Sequence, residues 1–444
     1  RQWIEENIQS SLYEYILLSL LGLSELQLRD RMMSVKPTAD QSNEINTRVQ
    51  VNKPTETGDE EDEKEPIPEE YTDGLVKYNP SIKAKPKFNP AHDANLITSW
   101  IREYDTKLKG DPKVLKENLA NILTARTAEQ RGQIVSKYPN LLDDIRAKLK
   151  KGHVVVLCEG LLKKSIAAYE ASVIERAISD NDLNKIGDVL CTKNNTEIEA
   201  IIAEYKRMFY NADLVKTVAD LCEKNKRGSV RIILDNLLRC RRNERFLTVD
   251  LNEVNSDVNF LVNTKKFKSD EKKRFVEMFC TRNWKYIREL NRQYGMRSTS
   301  VNLEKLIDKQ LGSGSGYFTL VLLKYSLDPT EYFAQRLFEL GQKFDKNKDQ
   351  IARIFISRSE VDLNEIRSRF AKKQYGKQLD KWIDDKSKKS KFGFFLTQIL
   401  TSIDRHNAMI AKQEQFRKES ARSSQIQAPP KQPEPEKQPE PEPV

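Results

Sequence analysis

The feature that most constrains how this chain can fold is a short segment that recurs four times. Each copy has two apolar residues, a variable residue, a small residue, a basic residue and a small polar residue. The copies lie at 122–127, 189–194, 278–283 and 354–359, and their small residues are Ala125, Thr192, Thr281 and Ser357. Self-similarity at intervals of 67, 89 and 76 residues predicts repeated structural units that stack on one another.

Two further residue types recur at fixed distances from the small residue. An aromatic residue follows it by 13 positions in every copy, as Tyr138, Tyr205, Tyr294 and Phe370. A leucine follows the aromatic by nine positions in the last three copies and by three in the first, as Leu141, Leu214, Leu303 and Leu379. We therefore predict a helix that ends at the recurring segment, a second helix that carries the aromatic inward, and a third that starts near the leucine. The basic residue of the segment is expected to bond the carbonyl end of the first of these helices.

Hydrophobic spacing also predicts an all-α class. One apolar stripe at i, i+3, i+4, i+7, i+8 and i+11 consists of Phe392, Phe395, Leu396, Ile399, Leu400 and Ile403. Runs of alternating β-branched residues are nearly absent between residues 79 and 420. The longest interval separates the second and third copies, which predicts two pairs of repeats joined by a longer connector near 241–253.

The ends of the chain differ in composition from this helical part. Residues 35–78 lack a periodic apolar pattern and include an acidic run at 56–73, whereas residues 428–444 are rich in Pro and Glu. Both ends are predicted to be disordered tails. Residues 12–28 are apolar but contain two glutamates, which favours a short amphipathic helix over a secretory signal. The net charge of +10 therefore divides into −9 for residues 1–78, +20 for the helical part and −1 for residues 421–444.

Composition argues against catalytic and metal sites that depend on histidine or cysteine. The chain has three histidines, far apart, and five cysteines without a Cys-x-x-Cys pair. This gives little material for a zinc site or a histidine-based nucleophile, and it favours a reducing compartment. No uncharged apolar stretch approaches the about 18 residues of a transmembrane helix. We therefore expect neither enzymatic activity nor a small-molecule substrate.

The repeats resemble those of the annexin family. The segment FNPAHDANL at 88–96 is similar to the start of the family's first repeat, DPTEYFAQRL at 328–337 to the start of its fourth, and SRSEVDLNEI at 357–366 to its repeat-four motif. The resemblance implies four repeats of about five helices each, arranged as a slightly curved disc. We expect an N-terminal tail at 1–78, repeats at 79–163, 164–243, 244–327 and 328–404, and a C-terminal tail at 405–444.

The resemblance also implies a calcium-dependent mechanism of phospholipid binding. In the family, a Gly-x-Gly-Thr loop between the first two helices of a repeat and a carboxylate from the loop after the fourth helix, about forty residues on, hold calcium, which prefers oxygen ligands. The corresponding loops here lie at 109–114, 179–183, 267–271 and 344–348, and none has that motif. The carboxylate positions hold Lys148, Leu221, Gln310 and Lys386. We predict no complete calcium site, and the remaining candidate metal ligands are Gly110, Asp220, Gly312, Gly314 and Asp385.

Basic residues are abundant in these loops. The predicted phospholipid-contacting residues are Lys148, Lys150, Lys151, Lys224, Lys226, Arg227, Lys265, Lys266, Lys268, Lys343, Lys346, Lys386, Lys388 and Lys389. Each base near an anionic membrane contributes about 1 kcal/mol, screened by salt. We expect a cytoplasmic protein that is peripheral at the inner face of the plasma membrane or at other anionic membranes, and that binds phosphatidylserine with or without calcium.

Two other interpretations of the basic loops remain open, and a third is not expected. The lysine-rich loops could simply be solvated, or they could bind the acidic surface of cytoskeletal filaments. Nucleic-acid binding through the same charge is not expected, because the sequence contains no recognised motif or basic groove with interleaved aromatic residues.

Overall fold

Helices account for the regular structure of this chain. The computed structural model describes residues 75–106, 112–150, 152–244, 248–298, 301–372, 377–412 and 415, and no strand occurs within these ranges. Twenty α-helices and one 3-10 helix follow one another from residue 90 to residue 400 in four groups of five α-helices, which we call modules 1 to 4. Residues 402–412 are helical as well. The predicted all-α fold of four five-helix repeats is confirmed.

Modules 1 and 2 occupy the first half of the helical part. Module 1 contains α1 (Pro90–Thr106), α2 (Pro112–Leu123), α3 (Ala128–Lys137), α4 (Leu141–Leu149) and α5 (His153–Leu161). Module 2 contains α6 (Ile166–Ser179), α7 (Leu183–Leu190), α8 (Asn195–Met208), α9 (Leu214–Lys224) and α10 (Gly228–Leu238). In both modules the second helix ends within the recurring segment, as the sequence predicts.

Modules 3 and 4 repeat this order. Module 3 contains α11 (Leu251–Asn263), α12 (Ser269–Thr281), α13 (Trp284–Arg297), α14 (Leu303–Leu311) and α15 (Ser315–Leu327). Module 4 contains α16 (Pro329–Leu340), the 3-10 helix Gly341–Lys346, α17 (Lys348–Arg358), α18 (Leu363–Lys372), α19 (Leu379–Ser387) and α20 (Lys391–Leu400). The second helices, α12 and α17, again end within the recurring segment.

The last residue of the recurring segment starts the third helix in modules 1 to 3. Thr127 and Asn194 form capping boxes with the residue three positions on, and the Asn283 side chain accepts from the Tyr286 amide at 2.7 Å. Such caps satisfy amides that a helix start leaves without an intrahelical partner. In module 4 the equivalent Ser359 has helical dihedrals, and α18 begins only at Leu363.

The recurring aromatic and leucine residues lie where the sequence predicts. Tyr205, Tyr294 and Phe370 are buried near the ends of their helices, whereas Tyr138 is half-buried and donates to the Asp144 carboxylate at 2.5 Å. The four leucines are the first residues of α4, α9, α14 and α19, and each is buried. The repeated spacing therefore marks the core of each module.

The basic residue of the recurring segment has a partner that the sequence did not predict. Its main partner is a carboxylate in every module: Arg126 with Asp93, Lys193 with Glu197, Arg282 with Glu253, and Arg358 with Asp362. Arg126 also bonds a carbonyl near the end of the preceding helix, the oxygen of Ala125 at 2.9 Å. The expected carbonyl contact occurs at Arg126, but a carboxylate is the main partner in every module, because an opposite charge offsets the cost of desolvating a cation.

Modules 2 and 4 meet through buried charges. Arg336 on α16 lies 3.1 Å from Asp188 on α7, and Arg353 on α17 lies 3.5 Å from Glu170 on α6. Beside Asp188 on α7, Gly187 packs against Phe318 of module 3. A Cβ at Gly187 would lie 1.7 Å from the Phe318 ring, so only glycine fits there. Removing one partner of such an ion pair would leave a buried charge uncompensated.

An extended segment before α1 links modules 4 and 1. The Ser81 amide donates to the Ser359 carbonyl at 2.7 Å, while the Gln130 side chain donates to the Lys85 carbonyl at 3.0 Å. The segment therefore runs over the ends of α2 and α17 where the recurring segments lie.

The predictions for residues 1–74 and 416–444, including the possible helix at 12–28, lie outside the described residues. Residues 75–78 and 405–412, which the sequence assigned to tails, are described and adjoin the modules. None of the helices in the described ranges combines the length and apolar character needed to cross a membrane.

Candidate functional site

Each module has one loop between its first and second helices and another between its fourth and fifth, and we call these two loops a loop pair. In modules 2 to 4 the two loops lie together at the same end of the helices, whereas the first loop of module 1, residues 107–111, lies outside the described residues. The first loops span 107–111, 180–182, 264–268 and 341–347, and the second loops span 150–152, 225–227, 312–314 and 388–390. These are the loops in which the resemblance places the calcium ligands.

In module 1, an ion pair beside loop pair 1 joins α4 to α1. Lys148, at the position of the family's carboxylate, places its ammonium 2.7 and 2.8 Å from the two carboxylate oxygens of Asp105. The Tyr104 hydroxyl lies 3.5 Å from the Lys148 carbonyl. A cationic side chain therefore lies where the family has a metal-binding carboxylate. Gly110 and Lys151 lie outside the described residues.

Loop pair 2 is closed by two amides. Asn225 donates to the Asn181 side-chain oxygen at 2.7 Å, and Asn181 donates in return to that of Asn225 at 3.1 Å. Asn225 also donates to the Leu221 carbonyl at 2.8 Å. Asp220 is exposed on α9, outside the two loops. The two loops are therefore joined by amide groups rather than through a carboxylate.

Loop pair 3 is closed by one buried amide. The Gln310 side chain accepts from the Phe267 amide and donates to the Lys265 carbonyl, both at 3.1 Å. The amide nitrogen thus takes up a carbonyl oxygen that lies in the loop from which the family supplies metal ligands. Gly312 has φ 68°, and a side chain at Gly314 would begin 3.7 Å from the Arg227 guanidinium of loop pair 2.

Loop pair 4 is closed by aromatic packing. A Cβ at Gly341 would lie 2.1 Å from the Trp382 ring, so the 3-10 helix of the first loop sits directly on α19. The Phe344 and Phe370 rings lie 6.0 and 5.4 Å from that of Trp382. Edge-to-face aromatic contacts at such distances stabilise a fixed arrangement.

The second loop of pair 4 is basic and has an unusual backbone. Lys388 and Lys389 both have left-handed dihedrals, with φ 52° and 53°. Asp385 is exposed and binds the Lys377 ammonium, and this hydrogen bond lowers the pKa of the Asp385 carboxyl. Its carboxylate is therefore paired with a lysine.

Among the described residues, the side chains of the loop pairs do not fit a calcium ion of the family type. Within the described ranges no three His, Cys, Asp or Glu side chains lie close enough to hold a metal. Calcium needs about six to eight oxygen ligands. The Gln310 amide nitrogen instead donates to the first loop of module 3, and the Lys148 ammonium donates to Asp105 on α1.

Most of the predicted phospholipid-contacting residues are exposed. Lys148 and Lys386 are half-buried. The exposed members of this set are called the loop lysines below, and the name includes one arginine. They are Lys150, Lys224, Lys226, Arg227, Lys265, Lys266, Lys268, Lys343, Lys346, Lys388 and Lys389. Their contact with lipid stays a prediction.

The loop pairs adjoin one another across module boundaries. His153, which begins α5 beside loop pair 1, lies 3.4 Å from Asp349 at the start of α17. A hydrogen bond from Lys348 lowers the pKa of Asp345, and the nearby charges of Lys388 and His153 add to this effect. With the approach of Arg227 to Gly314, these contacts link pair 1 to pair 4 and pair 2 to pair 3.

Sequence reasoning missed three residues that close loop pairs 1 and 2, namely Asp105, Asn181 and Asn225. A signal was present, because the partners are 43 residues apart in pair 1, 44 in pair 2 and 43 to 45 in pair 3. That spacing is close to the distance between the two calcium-binding segments of the family, with amide and ammonium groups in place of the carboxylate.

Known proteins share this architecture. The family model Annexin matches residues 332–391. Annexin A3 of Mus musculus is 28% identical over 311 residues, covering 67% of this chain and 90% of the relative, while annexin A6 of the same species is 24% identical over 322 residues, covering 70% and 45%. The chain thus spans under half the length of annexin A6.

Solved structures show the same fold. An annexin III structure matches with a TM-score of 0.64 and 24% identity, covering 74% of this chain and 98% of that one. A calcium-bound annexin (Sm)1 matches with a TM-score of 0.59 and 18% identity, covering 73% and 94%. The solved structures, the curated relatives and the family model therefore agree with the resemblance of the four five-helix modules to annexins.

Proposed function

We propose that this protein docks peripherally on anionic phospholipid membranes through the loop lysines, without requiring calcium. The observation that carries the proposal is the closure of loop pairs 1 and 3 by Lys148 and Gln310. Both stand at the family's carboxylate position, and both make protein contacts there. Similarity to the annexins, a phospholipid-binding family, supports the partner, and the side-chain contacts support the change of mechanism.

Charge supports the same proposal. The helical part carries +20, and eleven exposed basic residues lie in or beside the loop pairs. At about 1 kcal/mol per base near an anionic surface, even a few simultaneous contacts suffice for reversible binding. Screening by salt weakens such contacts, since the Debye length is about 8 Å at physiological ionic strength.

The role proposed is that of a cytoplasmic scaffold at the inner face of the plasma membrane or another anionic membrane, without catalysis. Binding of this kind requires a rigid array of charges and no reacting group. The modules supply rigidity through buried ion pairs and aromatic packing, and the loops supply the charges.

Co-sedimentation of the full chain with phosphatidylserine vesicles in chelator tests the proposal. We expect binding that weakens as salt is raised, and no binding to neutral phosphatidylcholine vesicles. The Lys388→Gln/Lys389→Gln variant should bind more weakly than the parent. Lys83→Gln/Lys85→Gln removes the same charge beside the other end of α2 and should bind as the parent does.

Equal loss in both variants would show attraction to net charge rather than docking of the loops, and would overturn the proposal. Absence of vesicle binding in chelator would also overturn it. Pelleting with polymerised actin or tubulin would then test the cytoskeletal alternative.

A further inference from the structure

A second basic surface lies beside the ends of the module 1 helices that are remote from loop pair 1. It is a cleft of about 230 Å³ between the extended segment before α1, the end of α2 and the helical residues 402–412. Its ionisable lining residues are Lys83, Lys85, Arg126, Arg405 and His406, and no carboxylate lines it. We call this the N-terminal cleft.

The charge of the N-terminal cleft is only partly compensated. Arg126 is neutralised by Asp93, whose two oxygens accept at 2.6 and 3.2 Å. Lys83, Lys85 and Arg405 make no ion pair within the described part of the chain. Three positive charges therefore surround the cleft without a counter-charge from its walls.

Arg405 is the strongest indication of a ligand. Its Nη2 donates to the Thr124 hydroxyl at 3.0 Å and to the Gln398 carbonyl at 2.8 Å, and both acceptors are neutral. Its Nε is buried without a hydrogen-bond partner, and burial lowers the pKa of its guanidinium. A desolvated cation without an opposite charge is costly, and a bound anion would offset that cost.

The walls of the cleft are fixed before any ligand binds. The Lys85 amide donates to the Gln130 side-chain oxygen at 3.0 Å, and the Gln130 nitrogen donates back to the Lys85 carbonyl at 3.0 Å. On the other side, the Ile403 amide donates to the Ser81 carbonyl at 3.1 Å. Such preorganisation reduces the entropy lost on binding.

We propose that the N-terminal cleft binds a small phosphorylated anion with two or more negative charges, such as a diphosphate group. Guanidinium and ammonium groups in one cleft suit phosphate oxygens. The volume is below the about 300 Å³ at which sites for drug-sized ligands begin, which fits a diphosphate better than a large ligand. The inference does not depend on membrane docking, because Thr124 and Arg126 follow α2, whereas the first loop of pair 1 precedes α2 and the second follows α4.

Calorimetric titration of the full chain with inorganic pyrophosphate, in low salt without divalent cations, tests the proposal. We expect one site per chain. Lys83→Gln/Lys85→Gln should weaken binding by about tenfold or more, because it removes two charge-assisted contacts. Neither side chain makes a hydrogen bond that the fold requires in the described residues, so this variant should fold normally. Lys388→Gln/Lys389→Gln, the matched control, should leave the affinity unchanged.

Arg405→Lys supplies a second comparison, since it keeps the charge but loses the planar fork and should also bind more weakly. No measurable binding by the parent would overturn the proposal. So would equal weakening in the two lysine variants, or a stoichiometry of several anions per chain, because both would show diffuse attraction to a basic protein.

Discussion

Lys148 in module 1 and Gln310 in module 3 occupy equivalent positions but make different kinds of protein contact. Lys148 and Gln310 each stand seven positions after the leucine that starts the fourth helix. Lys148 reaches the Asp105 carboxylate in an ion pair whose side chains are 26% and 49% exposed. Gln310 is 7% exposed and bonds two backbone groups of the first loop. The comparison shows that either a charged or a neutral side chain at this position can make a protein contact, with α1 in module 1 and with the first loop in module 3.

The second loops of pairs 1 and 3 also differ in backbone strain. Two residues further on, Lys150 has φ 56° and ψ −154°, and Gly312 has φ 68° and ψ −163°. This combination is essentially restricted to glycine. Module 1 therefore retains a lysine in a conformation that costs of order 1–3 kcal/mol, whereas module 3 adopts it without a side chain.

The largest effect is expected from Gln310→Glu. The carboxylate cannot donate to the Lys265 carbonyl and would repel it, so the free energy of unfolding in chelator should fall by about 1–3 kcal/mol. Gln133→Glu, at an exposed position on α3, makes the same charge change and should have little effect. Both are measured by chemical denaturation. If calcium restored the full stability of Gln310→Glu, loop pair 3 would fit the ion after all.

Separate substitutions at Lys150 and Gly312 test how much the strained backbone costs in stability. Gly312→Ala should lower the free energy of unfolding by about 1–2 kcal/mol, and Lys150→Gly should raise it by about 1 kcal/mol. No heavy atom lies within 4 Å of a Cβ built at Gly312, so crowding would not explain the loss. Lys150→Gln removes the charge but keeps the strain. If it stabilised the protein as much as Lys150→Gly, charge repulsion would be the cause.

The smallest effect is expected at the ion pair of loop pair 1. Lys148→Met and Asp105→Asn should show a coupling of about 1 kcal/mol or less in a double-mutant cycle, because exposed ion pairs contribute little. The coupling should shrink in high salt. A larger, salt-independent coupling would show that this closure behaves like the buried amide of module 3.

The repeated spacing in the sequence was sufficient to predict the helical modules. A leucine that begins a helix and an aromatic that enters the core recur because each module must bury the same interior. The displaced start of α18 was not predictable from that spacing, because Ser359 continues the helical conformation instead of capping a new helix.

The candidate site was predicted less completely. The absence of Gly-x-Gly-Thr loops and the residues at the carboxylate positions are visible in the sequence. The pairing of Asn181 with Asn225 is marked only by its spacing of 44 residues, because two neutral asparagines carry no charge pattern that identifies them as partners. The uncompensated Arg405 is likewise invisible, since only the fold shows which carboxylates are out of its reach.

The central claim is that protein contacts have taken the place of calcium in the loop pairs. Its most direct test is the affinity of the full chain for phosphatidylserine vesicles, measured at one ionic strength with calcium and with chelator. The account predicts the same affinity in both, apart from weak competition by calcium for the lipid charge. An affinity at least about tenfold higher with calcium, equivalent to about 1.4 kcal/mol, would contradict it.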